Sequence, residues 1–199
     1  MSDLSKVASL LALQGREGFF EVNAINGSTW LTARNLRRCL PPLESLTWEL
    51  EPQINAVALK RAGRYLERLP SSLLWVRTET GKSASRLRTF HPRPHLVIRE
   101  GSTVRYVAFW ALEDPLSGEW LDRANRRIAH HLAAPKKHCG DGFRFVLPGT
   151  ILRADRARPL PVELVSYEPG LVTAREVVGR LREAPDPDAW RNAPVRERV

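Results

Sequence analysis

The stretch from His95 to Leu112, HLVIREGSTVRYVAFWAL, decides the fold predicted for this chain. Two runs rich in β-branched and aromatic residues, His95–Arg99 and Val104–Leu112, flank a short Glu-Gly-Ser-Thr segment. This pattern is typical of a β-hairpin, because the apolar runs suit paired strands and the glycine suits the turn between them. We therefore expect two adjacent antiparallel strands here.

Further strand and helix signals lie on both sides of this hairpin. Short apolar runs predict strands at Phe19–Ile25, Trp30–Ala33, Ser45–Leu50, Ser72–Arg77, Phe143–Leu147 and Pro161–Val165. Apolar residues at helical spacing predict helices at Ser5–Leu13, Asn55–Leu69, Ser117–Ala134 and Thr173–Leu181. The basic stretch from Thr78 to Pro94 has few apolar residues, so we expect a long loop there.

These elements together predict the fold class and the domain organisation. Hairpins combined with two substantial helices predict an α+β protein, in which helices pack against a mainly antiparallel, RRM-like sheet. The 199 residues fit one ordinary domain, which we place at residues 1–183. Residues 184–199 are dominated by Pro, Asp and Arg and are predicted to form a flexible C-terminal tail. Trp190 in that tail is a candidate contact for a partner protein.

The charge balance indicates a polyanionic partner. Lys and Arg total 31 and Asp and Glu total 22, which gives a formal net charge of +9 and a sequence pI of about 10.3. Such an excess favours nucleic acid first and an acidic membrane surface second, with a merely soluble basic protein as the plain alternative. Arg greatly outnumbers Lys, and the guanidinium fork suits phosphate better than an ammonium does.

Several protein classes are disfavoured by the composition. The two cysteines, Cys39 and Cys139, cannot build a disulfide framework and do not have zinc-ligand spacing. The N-terminal residues lack the features of a signal peptide, and no apolar run reaches the length of a membrane span. We expect a cytoplasmic protein without a membrane partner.

Three short segments carry residues suited to phosphate and metal chemistry. Glu49 and Glu51 stand two residues apart on a predicted strand, so their carboxylates share one face and could hold a divalent cation. Arg105 follows the turn of the opening hairpin, where it could grip a phosphate. Arg144 lies in the third segment, DGFRFVLPGT, which begins at Asp141 and ends in a Pro-Gly-Thr turn.

The order of these segments resembles the catalytic domain of archaeo-eukaryotic-type primase-polymerases, in particular the RepB-like replication primases of plasmids, phages and integrated elements. In that family an Asp-x-Asp motif ends a strand. A Ser-Gly turn then leads into a strand with His and Tyr-Trp, and a third Asp precedes an Arg-x-x-Arg-x-Pro-Gly-Thr stretch. The matching positions here are Glu49 and Glu51, then Glu100 and Arg105 followed by Phe109-Trp110, then Asp141 followed by Phe143–Thr150. The similarity covers about Phe19 to Val165, and its most specific part is the Pro-Gly-Thr block.

The resemblance implies a metal-dependent DNA primase or polymerase. Glu49, Glu51 and Asp141 would then be catalytic and hold Mg²⁺ or Mn²⁺, while Arg105 and Arg144 would bind nucleotide phosphate. The sequence departs from the family at these positions, since Glu replaces Asp in the first motif and Arg105 replaces His. Glu is a competent oxygen ligand, but its longer side chain displaces the ion, and two-metal transfer tolerates misplacement poorly. These departures bear on the activity and leave the inference about the fold unchanged.

Nucleic acid is the predicted partner, with DNA favoured over RNA. The basic side chains assigned to this contact are Lys82, Arg86, Arg88 and Arg93 in the predicted loop, and Arg126 and Arg127 on the helix at Ser117–Ala134. Three hypotheses stay open. The chain is a small primase or primase-polymerase of a mobile element, or a non-catalytic nucleic-acid-binding subunit of a replication, mobile-element or RNA-guided complex, or a basic α+β protein-interaction module.

Overall fold

The computed structural model describes residues 2–14, 18–24, 27–32, 34–39, 52–62, 64–140, 142–152 and 160–184. The predicted strand at Ser45–Leu50 and residues 185–199 of the predicted tail lie outside these ranges. Across the described residues, no helix is both long and apolar enough to cross a bilayer.

Helices and strands are interspersed along the chain. The strands are β1 (Phe19–Ala24), β2 (Gly27–Thr32), β3 (Gln53–Asn55), β4 (Leu59–Ala62), β5 (Tyr65–Arg68), β6 (Ser71–Arg77), β7 (Leu96–Glu100), β8 (Tyr106–Leu116), β9 (Arg144–Val146), β10 (Ile151–Leu152) and β11 (Leu160–Tyr167). The helices are α1 (Asp3–Leu11), α2 (Leu36–Cys39), α3 (Gly81–Arg88), α4 (Gly118–Leu132) and α5 (Ala174–Val178), with 3₁₀ turns at Ala12–Gln14 and Lys136–His138.

The strands form two sheets with antiparallel strand pairs. In the first sheet the order is β5-β4-β1-β3-β9, and β2 also pairs with β1 along its whole length. In the second sheet the order is β10-β11-β7-β8-β6. The predicted mainly antiparallel α+β class is thus confirmed, with two sheets where the sequence predicted one.

The opening hairpin forms the centre of the second sheet, as predicted. Leu96 pairs with Phe109, Ile98 with Val107 and Arg99 with Tyr106. Gly101 in the turn has a φ of +73°, and a Cβ added there would lie 2.7 Å from the Cβ of Leu160. The turn therefore requires glycine both for its backbone conformation and for the close approach of β11.

The predicted helix at Asn55–Leu69 is wrong. This segment holds the end of β3 and the hairpin of β4 and β5, in which Ala62 pairs with Tyr65. Only Gly63 and Arg64 separate that pair, which is the length of a tight hairpin connection. The apolar spacing resembled a helix face by coincidence, since Tyr65 and Leu66 are 79% and 51% exposed.

The predicted loop at Thr78–Pro94 is wrong in part, because it contains α3. The Thr80 hydroxyl accepts a hydrogen bond from the Ser83 backbone N–H at 3.2 Å, and the Ser83 hydroxyl accepts one from the Thr80 N–H at 3.2 Å. This reciprocal capping satisfies two backbone donors at the start of the helix. Ala84 and Leu87 then bury one side of α3 at helical spacing.

Aromatic packing joins the two sheets. The ring of Trp75 on β6 stacks on Phe143 at 5.6 Å between centroids, and Phe109 on β8 meets Phe145 on β9 edge-on at 4.8 Å. The strand β6 lies at an edge of the second sheet. There the backbone N–H of Trp75 donates a hydrogen bond to Oδ1 of the buried Asn125 of α4 at 3.0 Å. Strand ends from both sheets therefore meet around Phe143, and this junction positions the candidate site.

Candidate nucleic-acid interface

The carboxylate of Glu100 lies at the centre of the junction between the sheets. Alternation along β7 turns Leu96, Ile98 and Glu100 inward, and the Glu100 side chain has no solvent exposure. Its Oε1 accepts hydrogen bonds from Arg77 Nη2 at 2.7 Å and from the Val146 backbone N–H at 3.2 Å. Its Oε2 lies 3.7 Å from Arg105 Nη2. Two guanidinium groups thus neutralise one buried carboxylate.

Arg77 connects the two sheets. It ends β6, and its side chain is 11% exposed. Its Nη2 donates to the backbone oxygen of Arg144 at 2.9 Å as well as to Glu100, and its guanidinium lies 4.9 Å from the centre of the Phe143 ring. These contacts fix the end of β6 against β9.

Arg144 extends the cluster onto the first sheet. Its Nε donates to Asn55 Oδ1 at 3.1 Å, and its Nη2 donates to Glu21 Oε2 at 2.6 Å. Asn55 belongs to β3 and Glu21 to β1. We call the side chains of Glu21, Asn55, Arg77, Glu100, Arg105 and Arg144 the arginine cluster. The structure therefore brings the two predicted phosphate-binding residues, Arg105 and Arg144, into one network.

The arginine cluster keeps guanidinium surface available to an anion. The side chains of Arg105 and Arg144 are 43% and 44% exposed. Within the cluster, Arg77 Nε, Arg105 Nε and Glu100 Oε2 have no hydrogen-bond partner among the described residues, but these three atoms are buried and do not add to that surface. Guanidinium donors at a partly exposed site suit phosphate oxygens, because planar N–H groups match the tetrahedral anion.

A second group of charges adjoins the cluster. Glu79 Oε1 lies 2.8 Å from His138 Nε2, and Glu79 Oε2 lies 3.2 Å from Lys137 Nζ. The hydrogen bond to His138 is the main cause that lowers the pKa of Glu79. Burial lowers the pKa of His138 despite the opposing effect of Glu79. In its neutral form the histidine would donate its Nε2–H to the Glu79 carboxylate.

The described carboxylates at this junction do not fit a divalent metal ion. Glu21, Glu79 and Glu100 are each held by an Arg, Lys or His side chain. Within the described ranges, no three His, Cys, Asp or Glu side chains come together in a metal-binding group. The predicted metal ligands Glu49, Glu51 and Asp141 lie outside the described residues, so their role stays a prediction.

The predicted nucleic-acid contacts fall into two groups. Arg86 donates to the His131 oxygen at 2.8 Å, and Arg127 donates to the Leu181 oxygen at 2.5 Å and lies 3.4 Å from Glu183. These two side chains are used within the fold. The others remain at the surface in different degrees: Lys82, Arg88 and Arg93 are exposed, and Arg126 is half-buried on α4.

Sequence reasoning missed several residues of this junction, among them Arg77, Glu79 and Glu21. A signal for the first two was present, because the apolar strand SLLWVR is followed by Thr78 and Glu79, which places two charges two residues apart at a strand end. Glu21 gave no comparable signal, since a single Glu on a strand is usually solvated.

Comparison with solved structures places this fold. The chain matches the crystal structure of primase RepB' with a TM-score of 0.62 and 18% identity, over 90% of this chain and 62% of that one. It matches the catalytic domain of primase RepB' in complex with initiator DNA with a TM-score of 0.59 and 18% identity, over 88% and 90% of the two chains. The AEP domain of the cyanophage S-2L primase-polymerase matches with a TM-score of 0.63 and 11% identity, over 89% and 97%.

The likeness is one of structure. No protein-family model matches the sequence, and no curated protein matches it. The chain spans 62% of the length of the first RepB' primase and nine-tenths or more of the two isolated domains. The order of strands and helices, the antiparallel sheets and these three matches agree with one another, and the chain therefore has a primase-polymerase-like fold.

Proposed function

We propose that this chain is a non-catalytic nucleic-acid-binding module with a primase-polymerase-like fold, and that its arginine cluster binds the phosphate backbone. The observation that carries this proposal is the state of Glu100: its buried carboxylate is held by Arg77 at 2.7 Å and lies 3.7 Å from Arg105. The positive charge beside this carboxylate is thus supplied by arginine side chains.

The chemistry of such a site differs from that of a metal centre. Metal-dependent phosphoryl transfer needs carboxylates that are free to coordinate ions on both sides of the reacting phosphate. A guanidinium supplies positive charge and hydrogen bonds, which position a phosphate without activating a nucleophile. The described junction therefore favours binding over transfer.

DNA is the proposed ligand. The chain carries a net charge of +9, and one solved relative of the fold is described as a complex with initiator DNA. A module of this kind would serve as a subunit of a replication, mobile-element or RNA-guided complex. The C-terminal tail with Trp190 is the proposed contact to its protein partner.

Fluorescence anisotropy with labelled single-stranded and duplex DNA tests the proposal. We expect Arg105→Gln and Arg144→Gln each to weaken binding, and EDTA to leave the binding unchanged. The matched control is Arg61→Gln, which removes an exposed arginine on β4, towards the far edge of the first sheet. Equal affinities for all three variants would contradict the proposed role of the cluster.

Template-directed nucleotidyl transfer is the second candidate, favoured by the fold and by the Pro148-Gly149-Thr150 block. Glu49, Glu51 and Asp141 would hold Mg²⁺ or Mn²⁺, and Arg105 and Arg144 would bind the triphosphate. Primer synthesis or extension with Mn²⁺ separates the candidates. Activity that disappears in Asp141→Ala would establish transfer, whereas activity no greater than that of Asp141→Ala would remove it.

A further inference from the structure

The second sheet carries a groove on the face that points away from the first sheet. Its volume is about 410 Å³. Val97, Tyr106 and Val165 form the floor, Leu87 of α3 forms a wall, and Arg88 and Arg93 stand at the rim. We call this feature the outer groove.

Strand alternation separates the outer groove from the arginine cluster. Ile98, Val107 and Glu100 turn towards the first sheet, so Val97 and Tyr106 turn away from it. Val97 and Tyr106 are half-buried, and Val165 on β11 is 54% exposed. The outer face of the sheet is therefore covered only in part, and the groove lies beside α3.

The rim of the outer groove is cationic. Arg88 and Arg93 are exposed, and neither makes an ion pair with any described residue. Glu168 contributes a single carboxylate to the lining. The nearby Arg99 is paired with Glu163 and adds no net charge. The lining thus combines two guanidinium groups that have no ion pair among the described residues, one carboxylate and several apolar side chains.

This combination points to a ligand that has both a flat apolar part and a negative charge. A nucleobase packs on an aromatic ring, and the phosphates beside it attract guanidinium groups. The volume is that of an ordinary small-ligand site. In a duplex each base is stacked on its neighbours, whereas an unpaired base can offer its face to the tyrosine ring.

We propose that the outer groove binds a segment of single-stranded nucleic acid, as a second contact distinct from the arginine cluster. A base packs against Tyr106, and the flanking phosphates meet Arg88 and Arg93. This inference rests on the proposed function, because both require that the chain binds nucleic acid.

Photo-crosslinking and binding measurements on the full chain test the groove. A thymidine oligonucleotide with a photoreactive uracil analogue should crosslink to the peptide that contains Tyr106. Tyr106→Leu keeps the apolar floor but removes the aromatic ring, and we expect it to weaken binding roughly fivefold to a hundredfold.

Arg88→Glu with Arg93→Glu should weaken binding by at least about tenfold. The matched control is Arg61→Glu with Arg64→Glu, which changes the net charge equally on the hairpin of β4 and β5.

The outcomes distinguish the two proposals. If Arg88→Glu with Arg93→Glu weakens binding no more than the control pair, while Arg105→Gln weakens it, the outer groove is overturned and the arginine cluster stands. If a folded wild-type chain binds no oligonucleotide, both proposals fall. If the double variant Arg88→Glu with Arg93→Glu no longer binds an acidic peptide but still binds the oligonucleotide like the wild type, the groove binds protein and the inference is overturned.

Discussion

Glu100 has a fully buried carboxylate, although the sequence places this residue at the start of a turn. The predicted hairpin correctly placed Glu100 where the first strand meets the turn. Its burial depends on Arg77, which lies 23 residues earlier, and on the Val146 N–H, 46 residues later. Contacts at that separation have no local signature, so the sequence could not predict the ion pair.

Removing Glu100 should destabilise the fold strongly. In Glu100→Ala the guanidinium of Arg77 stays buried and loses its carboxylate counterion, and breaking a buried ion pair in this way typically costs about 3 to 5 kcal/mol. Urea denaturation measures the change in the free energy of unfolding. Glu163→Ala is the control, because its pair with Arg99 is exposed and should cost less than about 1 kcal/mol. A Glu100→Ala chain as stable as Glu163→Ala would show that the buried pair is not formed.

His95 should make stability depend on pH. Its Nδ1 accepts a hydrogen bond from the Ala111 N–H at 2.8 Å, and burial lowers its pKa below the ordinary 6.5, against the opposing effect of Glu168. The unfolded chain therefore binds the proton more tightly. The stability associated with neutral His95 is complete above pH 6.5 and is lost as the pH falls towards the folded-state pKa.

Urea midpoints between pH 7 and pH 5 measure this loss. His95→Asn retains an acceptor near the position of Nδ1 and removes the titration, so its stability should fall less over this range than that of the wild type. His138 contributes to both proteins alike. Identical slopes for His95→Asn and wild type would refute the assignment.

Individual elements were predictable where a local pattern agreed with the tertiary contacts. α4 and the hairpin of β7 and β8 have strong periodicity and bury the side that the periodicity predicts. The prediction for the hairpin of β4 and β5 was wrong because strands of four residues are too short to show a clear alternation of apolar and polar residues. α3 was missed because its polar residues outnumber its apolar ones, although Thr80 and Ser83 already carried a capping signal.

Loss of that cap should weaken α3. Thr80→Ala removes the acceptor for the Ser83 N–H and should lower the free energy of unfolding by about 1 kcal/mol. Thr89→Ala at the other end of the helix removes only an exposed hydroxyl contact to the Arg86 oxygen, and should cost less. Chemical denaturation compares the two variants. A larger cost for Thr89→Ala would contradict the capping assignment.

For the molecule as a whole, the sequence predicted the class and the order of most elements but not the pairing between distant strands. The contact of β3 with β9 joins residues about ninety positions apart, and it places Arg144 beside Asn55 and Glu21. Local alternation identified strands such as β1, β7 and β8, but it did not identify β4 and β5. It contained no information about which edges meet, so Arg105 and Arg144 were predicted separately and their common network was not.

The salt dependence of DNA binding tests the central claim that the arginine cluster contacts phosphate. Each phosphate contact to a single strand contributes about −0.7 to the slope of log K against log salt concentration. Removal of both exposed arginines in Arg105→Gln with Arg144→Gln should therefore make the slope shallower by about 1.4. Arg61→Gln with Arg64→Gln, which removes the same charge from the hairpin of β4 and β5, should leave the slope close to that of the wild type. A folded cluster variant with the wild-type slope and affinity would contradict the account.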